Sequence, residues 1–325
     1  KQEESKRWKY IYLKPTKIPG YGSDVCFGLV FYLIKHRRSY DVVIFSIITS
    51  FSTHIGFCIA KLLGKKIVIW DETWMLPNTW QTKLVKPYLH FIGHRVDATI
   101  AAGSKTKLFY KRLGVASYNI YRAPDCAEDI VPLINNDISN KLRKKLKILK
   151  SDIIIGYLGR VVAYKNLDCL LYAFKRFDRN SHAKLLIVGD GPYSPYCEKL
   201  IDALKINRKR IIWIKGNPNN TEPISHKQFI HYLTLADIFV LPGRIIKSDI
   251  VPCEAWGLIL NEAMSLSKPV ISTTSVGGAY DLIRNNINGF IVDSDNSKKL
   301  AYALNKLVIS RKLRKKFGQI SRIIF

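Results

Sequence analysis

Two carboxylates eight positions apart, Glu254 and Glu262, are the residues of this sequence whose type and setting most directly suggest chemistry. Glu254 falls in a loop after a strand read over 237–241. Glu262 falls inside a short helix read over 258–266, about one turn beyond its start. From a loop and from the amino-terminal half of a helix, two acids can face one crevice at different heights. Between them, Trp256, Gly257 and Leu258 put backbone N–H groups at the helix start, where unpaired donors and the helix dipole favour phosphate. A new strand then opens at Lys268-Pro269-Val270-Ile271. Strand, loop acid, helix acid, strand is the order of a ligand site at the carboxyl end of a parallel sheet. Alone, Glu-x7-Glu is common in helices, and the plain alternative is two solvated carboxylates near a helix start.

Two cations follow another strand. Arg160 and Lys165 come just after the apolar run 153–158, again at a carboxyl end. A guanidinium can bridge two phosphate oxygens, and an ammonium serves as a point charge. Fixed cations and backbone dipoles stabilise charge growing on a leaving diphosphate without reorganising. In a chain with 52 Lys and Arg, position alone singles these two out. Gly216 and Asn217 follow a strand over 210–214, and Asp71, Glu72 and Trp74 follow one over 66–70. His90 and His94 lack a third ligand and read as structural. No Asp-x-Asp pair is placed to hold a metal.

The acids sit in the run EAWGLILNEAMSLSKPVISTTSVGG. Tyr157-Leu158-Gly159-Arg160, Lys165-Asn166 and Ile187-Val188-Gly189-Asp190-Gly191 precede it in that order. Over residues 41–292 this set resembles the retaining glycosyltransferases of family 4, which have the GT-B fold. The resemblance implies an α/β protein of two Rossmann-like doubly wound domains facing across a cleft. Residues 1–125 would bind the acceptor and 126–325 the nucleotide sugar. It implies transfer, with retention, of a hexose or N-acetylhexosamine from a UDP- or GDP-linked donor to a glycan or lipid-linked acceptor. Catalysis would fall to Arg160 and Lys165 on the diphosphate and Glu254 on the donor-sugar hydroxyls. Glu262 would accept from the ribose 2′ and 3′ hydroxyls, the backbone of Gly257 and Leu258 would meet phosphate, and Gly216 and Asn217 would lie near the base. Asp71, Glu72 and Trp74 would serve the acceptor side. The family needs no metal and no cofactor beyond the donor. Three departures stand out. Pro124-Asp125-Cys126 replaces the family's Pro-Asn-Gly, and Asp71-Glu72 stands where many relatives carry His. The family's first β–α unit, with its Gly-rich loop, and its returning last helix have no visible counterpart, so the chain is expected to lack them.

The remaining elements must position these groups. At 325 residues and 47% hydrophobic content, two ordered domains are expected rather than disorder. Strands are read over 8–13, 41–48, 66–70, 98–101 and 119–122, with helices over 25–36, 54–63, 82–92 (interrupted near Pro87) and 104–113. A basic amphipathic helix over 137–150 follows. The rhythm then resumes, with strands over 153–158, 184–188, 210–214, 237–241, 269–273 and 290–292. Helices over 167–177, 196–204, 228–234 and 279–283 and one basic helical tail over 298–318 complete it. The run 42–60 has no charged residue, but its polar residues cluster in the middle, and it reads as a buried strand and a helix rather than a membrane span.

The net charge of +27 predicts attraction to a polyanion: a nucleotide diphosphate, an anionic membrane surface or a nucleic acid. The alternative to an enzyme is therefore a polyanion- or nucleic-acid-binding protein. That reading calls for Lys and Arg interleaved with aromatics. The basic runs 141–150 and 298–316 carry apolar helical spacing and few aromatics, so no nucleic acid is expected. A sugar phosphorylase would need a lysine holding pyridoxal phosphate, and none is identifiable. Six scattered cysteines without a C-x2-C pair suit buried thiols in a reducing compartment. With no visible signal peptide, the expectation is a cytoplasmic protein, peripheral at the membrane face.

Overall fold

A computed structural model describes residues 11–16, 25–176, 182–216, 224–246 and 253–325. The chain divides into two compact units. The first comprises Lys1–Thr73, Trp80–Ala102 and Thr106–Ala123, and the second Trp74–Thr79, Gly103–Lys105 and Pro124–Phe325.

The first unit runs α1 (Gly28–Lys35), β1 (Val42–Ser46), α2 (Phe51–Leu62), β2 (Lys66–Asp71), α3 (Trp80–Gly93), β3 (Ala98–Ala101), α4 (Ser104–Arg112) and β4 (Ile120–Arg122). Its sheet is parallel in the order β1-β2-β3-β4, so α2, α3 and α4 are crossovers between neighbouring strands. Ile67 and Ile69 of β2 are fully buried in its core. Three expectations change here. In the span 8–13 the first three residues lie outside those described, and 11–13 form no strand. The strand read as buried is half exposed: Val42 and Ile44 face solvent, because β1 has β2 on one side and no strand on the other among the described residues. α3 passes through Pro87 without a break. The proline deprives the Lys83 carbonyl of its helical donor, on an exposed stretch where water can replace it.

The second unit begins with α5 (Asn136–Lys145), shorter than the spacing suggested because the chain turns at Lys147, φ 52°. It continues with β5 (Ile153–Leu158), α6 (Leu167–Arg176), β6 (Ala183–Val188), α7 (Ser194–Ala203), β7 (Ile211–Ile214), α8 (His226–Thr234) and β8 (Ile238–Leu241). Then come α9 (Ile259–Ser265), β9 (Val270–Thr273), α10 (Ala279–Leu282), β10 (Gly289–Val292), α11 (Ser297–Ile309) and α12 (Arg311–Ile324). The expected single tail helix is two. Ser310 leaves the helical conformation, and its hydroxyl accepts from the Leu313 N–H, capping α12.

The sheet is parallel in the order β10-β9-β8-β5-β6-β7. Alternate strand residues feed two cores. Ile155, Tyr157, Leu185 and Ile187 pack with α6, α7 and α11 on one face. Ile154, Leu158, Leu186 and Val188 pack with α8 and α9 on the other. The order reverses between β5 and β8. In sheets of this kind the loops leaving the carboxyl ends diverge at the reversal point, which is where ligands bind. Close backbone approaches at this end need glycine, Gly189 among them. A Cβ on Gly189 (φ 132°) would sit 2.1 Å from the Gly159 carbonyl oxygen.

Candidate functional site

Lys165 and Glu254 reach this reversal point from its two sides. Lys165 ends the one-turn 3-10 helix Ala163–Lys165 after β5, and Glu254 lies beyond β8. Their side chains form an ion pair, Nζ to Oε2 at 2.9 Å, and each is only 14% exposed. Beyond that ammonium, Oε2 is buried without a hydrogen-bond partner among the described residues. A buried carboxylate oxygen held by one cation is oriented and keeps acceptor capacity to spare. The main chain of Glu254 is fixed as well. It bridges to Val276 in parallel fashion, and its carbonyl accepts from Gly277 N–H at 3.0 Å and from the Trp74 indole N–H at 3.1 Å.

The turn that presents Lys165 is held by Asn166, quoted in the motif but given no role by the sequence. Asn166 is buried and left-handed (φ 60°), a conformation Asn tolerates. Its amide donates to the Pro242 carbonyl at 2.9 Å, tying the β5 loop to the β8 loop. Its Oδ1 accepts from Arg244 Nε at 2.8 Å and also from Nη2. Arg244 further meets Asp168, in the first turn of α6, and Asp295 at 3.1 Å. Burial opposes the charge on Arg244, but the Asp168 bond and carboxylate, with Asp295, outweigh it and raise its pKa above the ordinary guanidinium value. Its position just beyond a strand's carboxyl end is the same signal that singled out Arg160.

Glu262 lies in the first turn of α9, with its side chain 14% exposed. Its Oε1 meets His226 Nε2 at 2.9 Å, a partner from the start of α8 that the sequence did not suggest. Gly257 (φ 90°) is buried, and a Cβ there would lie 2.7 Å from Leu241 Cδ2 and 3.5 Å from Glu254 Cγ. Glycine thus brings the backbone close to both the strand end and the acid. The N–H groups of Gly257 and Leu258 donate no hydrogen bond among the described residues. α9 starts at Ile259, so these donors sit just ahead of the helix rather than inside it. Arg160 is exposed and donates a long bond, 3.4 Å, to the Tyr164 hydroxyl. It makes no bond to Lys165 or Glu254. Gly216 follows β7 in open space. Asn217 lies outside the described residues.

The sequence profile of the group 1 glycosyl transferases matches residues 138–323, more than half of the chain. The chain belongs to the group 1 glycosyl transferases. It is 30% identical over 186 residues to the capsular polysaccharide biosynthesis glycosyltransferase CapM of Staphylococcus aureus, covering 57% of this chain and 44% of CapM. It is 29% identical over 172 residues to a GDP-mannose-dependent alpha-(1-6)-phosphatidylinositol monomannoside mannosyltransferase of Mycobacterium tuberculosis, covering 53% of this chain and 42% of that protein. The chain thus spans about half the length of the curated relatives it matches. The crystal structure of Anabaena HepE in complex with UDP superposes with a TM-score of 0.73 at 16% identity, covering 91% of this chain and 77% of HepE. That likeness extends to the GT-B fold, with two Rossmann-like parallel-sheet units.

In this group 1 transferase the expected acceptor-side residues are separated. Asp71 is buried in the first unit, and its oxygens accept four hydrogen bonds. The donors are Ile48 N–H (3.2 Å), Thr73 N–H (2.9 Å), the Thr73 hydroxyl (2.7 Å) and the Tyr110 hydroxyl (2.7 Å). Burial and the adjacent Asp71 carboxylate push the Tyr110 pKa well above its usual value, so Tyr110 remains a donor. Asp71 therefore holds the loops around β2 together and offers no spare oxygen. Glu72 is exposed. Trp74 belongs to the second unit, not the first. There the Lys105 ammonium lies 3.8 Å from its ring centroid and 4.4 Å from that of Tyr280, while donating to the Thr274 carbonyl at 2.6 Å. Burial lowers the Lys105 pKa. Cys253, beside Glu254, is pushed up to about 12, chiefly by burial, and is an inert thiol. His90 and His94 form no metal cluster with other residues among those described.

Proposed function

We propose that this protein is a retaining, metal-independent glycosyltransferase of family 4. It moves a hexose or N-acetylhexosamine from a UDP- or GDP-linked donor to a glycan or lipid-linked acceptor. The observation that carries this reading is the Lys165–Glu254 pair at the point where the strand order reverses, with one carboxylate oxygen buried and otherwise unpartnered. The donor diphosphate lies along Lys165 and Arg160, with the N–H groups of Gly257 and Leu258 as neutral donors to phosphate oxygens. Glu254 accepts from a donor-sugar hydroxyl and keeps the anomeric carbon in register. Glu262 exchanges His226 for the ribose diol, which a carboxylate can accept at two oxygens. The acceptor hydroxyl oxygen forms its bond to the anomeric carbon on the face the leaving group vacates. The bond to the phosphate oxygen breaks with its electron pair, and that oxygen takes the acceptor proton. Fixed cations stabilise the charge as it develops.

The relatives support both halves of the substrate reading in kind: one is GDP-mannose-dependent and acts on a phosphatidylinositol mannoside, and another makes capsular polysaccharide. Nothing in the relatives favours a nucleic-acid binder. The experiment is to incubate the protein with UDP- and GDP-sugars and candidate acceptors, detect free nucleoside diphosphate, and read the anomeric configuration of the product by NMR. Retained configuration, unchanged by EDTA, is the expected result. Inversion, or activity abolished by EDTA and restored by a divalent ion, overturns the mechanism.

A further inference from the structure

α3 is apolar on two opposite faces. Its inner face buries Leu89, Ile92 and Gly93 in the first unit. At about 100° per residue, Trp80, Leu84, Pro87 and Phe91, spaced 4, 3 and 4, fall within a narrow stripe on the other side. That stripe is open: Trp80 and Leu84 are each 69% exposed and Phe91 46%. It continues onto α2. The Tyr88 ring lies 6.2 Å from Phe91 and edge-on to His54 at 5.1 Å, and its hydroxyl is 3.8 Å from Cys58 Sγ. One turn beyond Cys58, Leu62 is also exposed. An outward aromatic stripe on a packed helix has no role in the core of its own unit.

The charge around the stripe is one-signed. Lys83 and Arg95 border it, with the Arg95 guanidinium 3.7 Å from the Phe91 ring centroid. No Asp or Glu occurs between residues 73 and 96. The nearby Asp97 is already taken by Lys61 and Lys66, each at 2.9 Å. Burial raises its pKa, but the Ile67 N–H and these lysines outweigh that and lower it to about 2, so it stays charged and paired. No described helix is long and apolar enough to cross a membrane.

We propose that the α2–α3 face docks on the surface of an anionic lipid bilayer. α3 lies in the interface plane, Trp80, Leu84 and Phe91 enter the headgroup–acyl boundary, and Lys83 and Arg95 meet lipid phosphates. Trp suits that depth, having an apolar ring and one polar N–H. A bilayer is the occupant favoured here because the patch joins aromatics to an unopposed basic rim. A self-associating face would place that rim against its own like charge.

The inference is independent of the transferase reading, since its test involves no nucleotide and no turnover. The protein is floated with vesicles of phosphatidylcholine alone and with added phosphatidylglycerol, while Trp fluorescence is followed. The expected result is binding to the anionic vesicles with a blue shift, weakened by salt. Trp80→Ser/Leu84→Ser should weaken it at least on the order of tenfold. Lys83→Gln/Arg95→Gln should weaken it about fivefold per cation, from about 1 kcal/mol each near an anionic surface. All four positions are exposed, so melting temperature and circular dichroism should match the parent, and a variant that fails this check is replaced by Phe91→Ser. Three results overturn the proposal: no binding to anionic vesicles, binding that both double variants retain, or sedimentation showing a dimer that Trp80→Ser dissociates, which would make a second copy the occupant.

Discussion

Removing one end of the Lys165–Glu254 pair is the sharpest perturbation of the site. At an effective dielectric of about 20, opposite unit charges roughly 3 Å apart attract by about 5–6 kcal/mol. Desolvating both ends takes most of that back, and an intact pair of this kind contributes on the order of 1–2 kcal/mol net. Lys165→Met leaves the Glu254 carboxylate largely buried without the cation that holds it, which costs about 3 kcal/mol, near the lower bound for stranding a buried charge because some water reaches it. Glu254→Gln in the same background removes the stranded charge and should restore about 1–2 kcal/mol. The assay is a double-mutant cycle in unfolding free energy, run by denaturation monitored within the second unit. Turnover must respond differently. Lys165→Met should lose at least about a hundredfold in kcat, because the diphosphate loses a preorganised cation, and Glu254→Gln should rescue none of it. Strictly additive stabilities would refute the claim that the two groups are coupled. A kcat within a few-fold of the parent would refute the role given to Lys165.

Other consequences lie farther from the crevice. Asp97 has a folded-state pKa of about 2, below its unfolded value of about 3.9. Its contribution is fully present above the unfolded value and is lost as pH falls toward 2. Asp97→Asn should therefore cost about 2 kcal/mol at neutral pH and flatten the acid limb of a melting-temperature profile; an unchanged acid limb would contradict the assignment. Gly189→Ala places a methyl 2.1 Å from the Gly159 carbonyl at φ 132° and should destabilise the second unit by about 1–3 kcal/mol, read from its unfolding transition. Arg244→Lys keeps the charge but loses the fork that spans Asn166, Asp168 and Asp295. Nucleotide affinity should fall about tenfold by calorimetry, and affinity equal to the parent would show that the fork does not position Lys165.

What was legible in the sequence follows the range of the interactions. β5, β6 and β8 are short apolar runs ended by Gly or Pro, and burial on both faces of a central parallel strand produces that pattern. The same pattern misleads at an edge. The run 41–48 looks equally buried, yet Ile44 of β1 is exposed, because position in the sheet is a property of pairing and not of composition. Lys165 and Glu254 were found by order and by their place after strands. Arg244 has the same place after a strand but no motif around it, and its partners Asn166, Asp168 and Asp295 lie far from it in the chain and become a cluster only when two loops and a helix start converge. His226 escaped for the same reason: nothing near it in sequence points to Glu262. Asp71 shows a different limit. A carboxylate at a strand's carboxyl end reads as a binding group, but four nearby donors consume its oxygens. The break between α11 and α12 rests on one serine, whose hydroxyl serves a cap as readily as a helix surface.

The central claim is that the second unit binds a nucleoside diphosphate through the groups gathered where its strand order reverses. Calorimetric titration of the protein with UDP and with GDP, repeated on Glu262→Ala and Arg160→Ala, tests it most directly. One nucleotide is expected to bind, and each substitution to weaken it by at least about tenfold, or about 1.4 kcal/mol. Failure of both nucleotides to bind, or an affinity that survives Glu262→Ala unchanged, would contradict it.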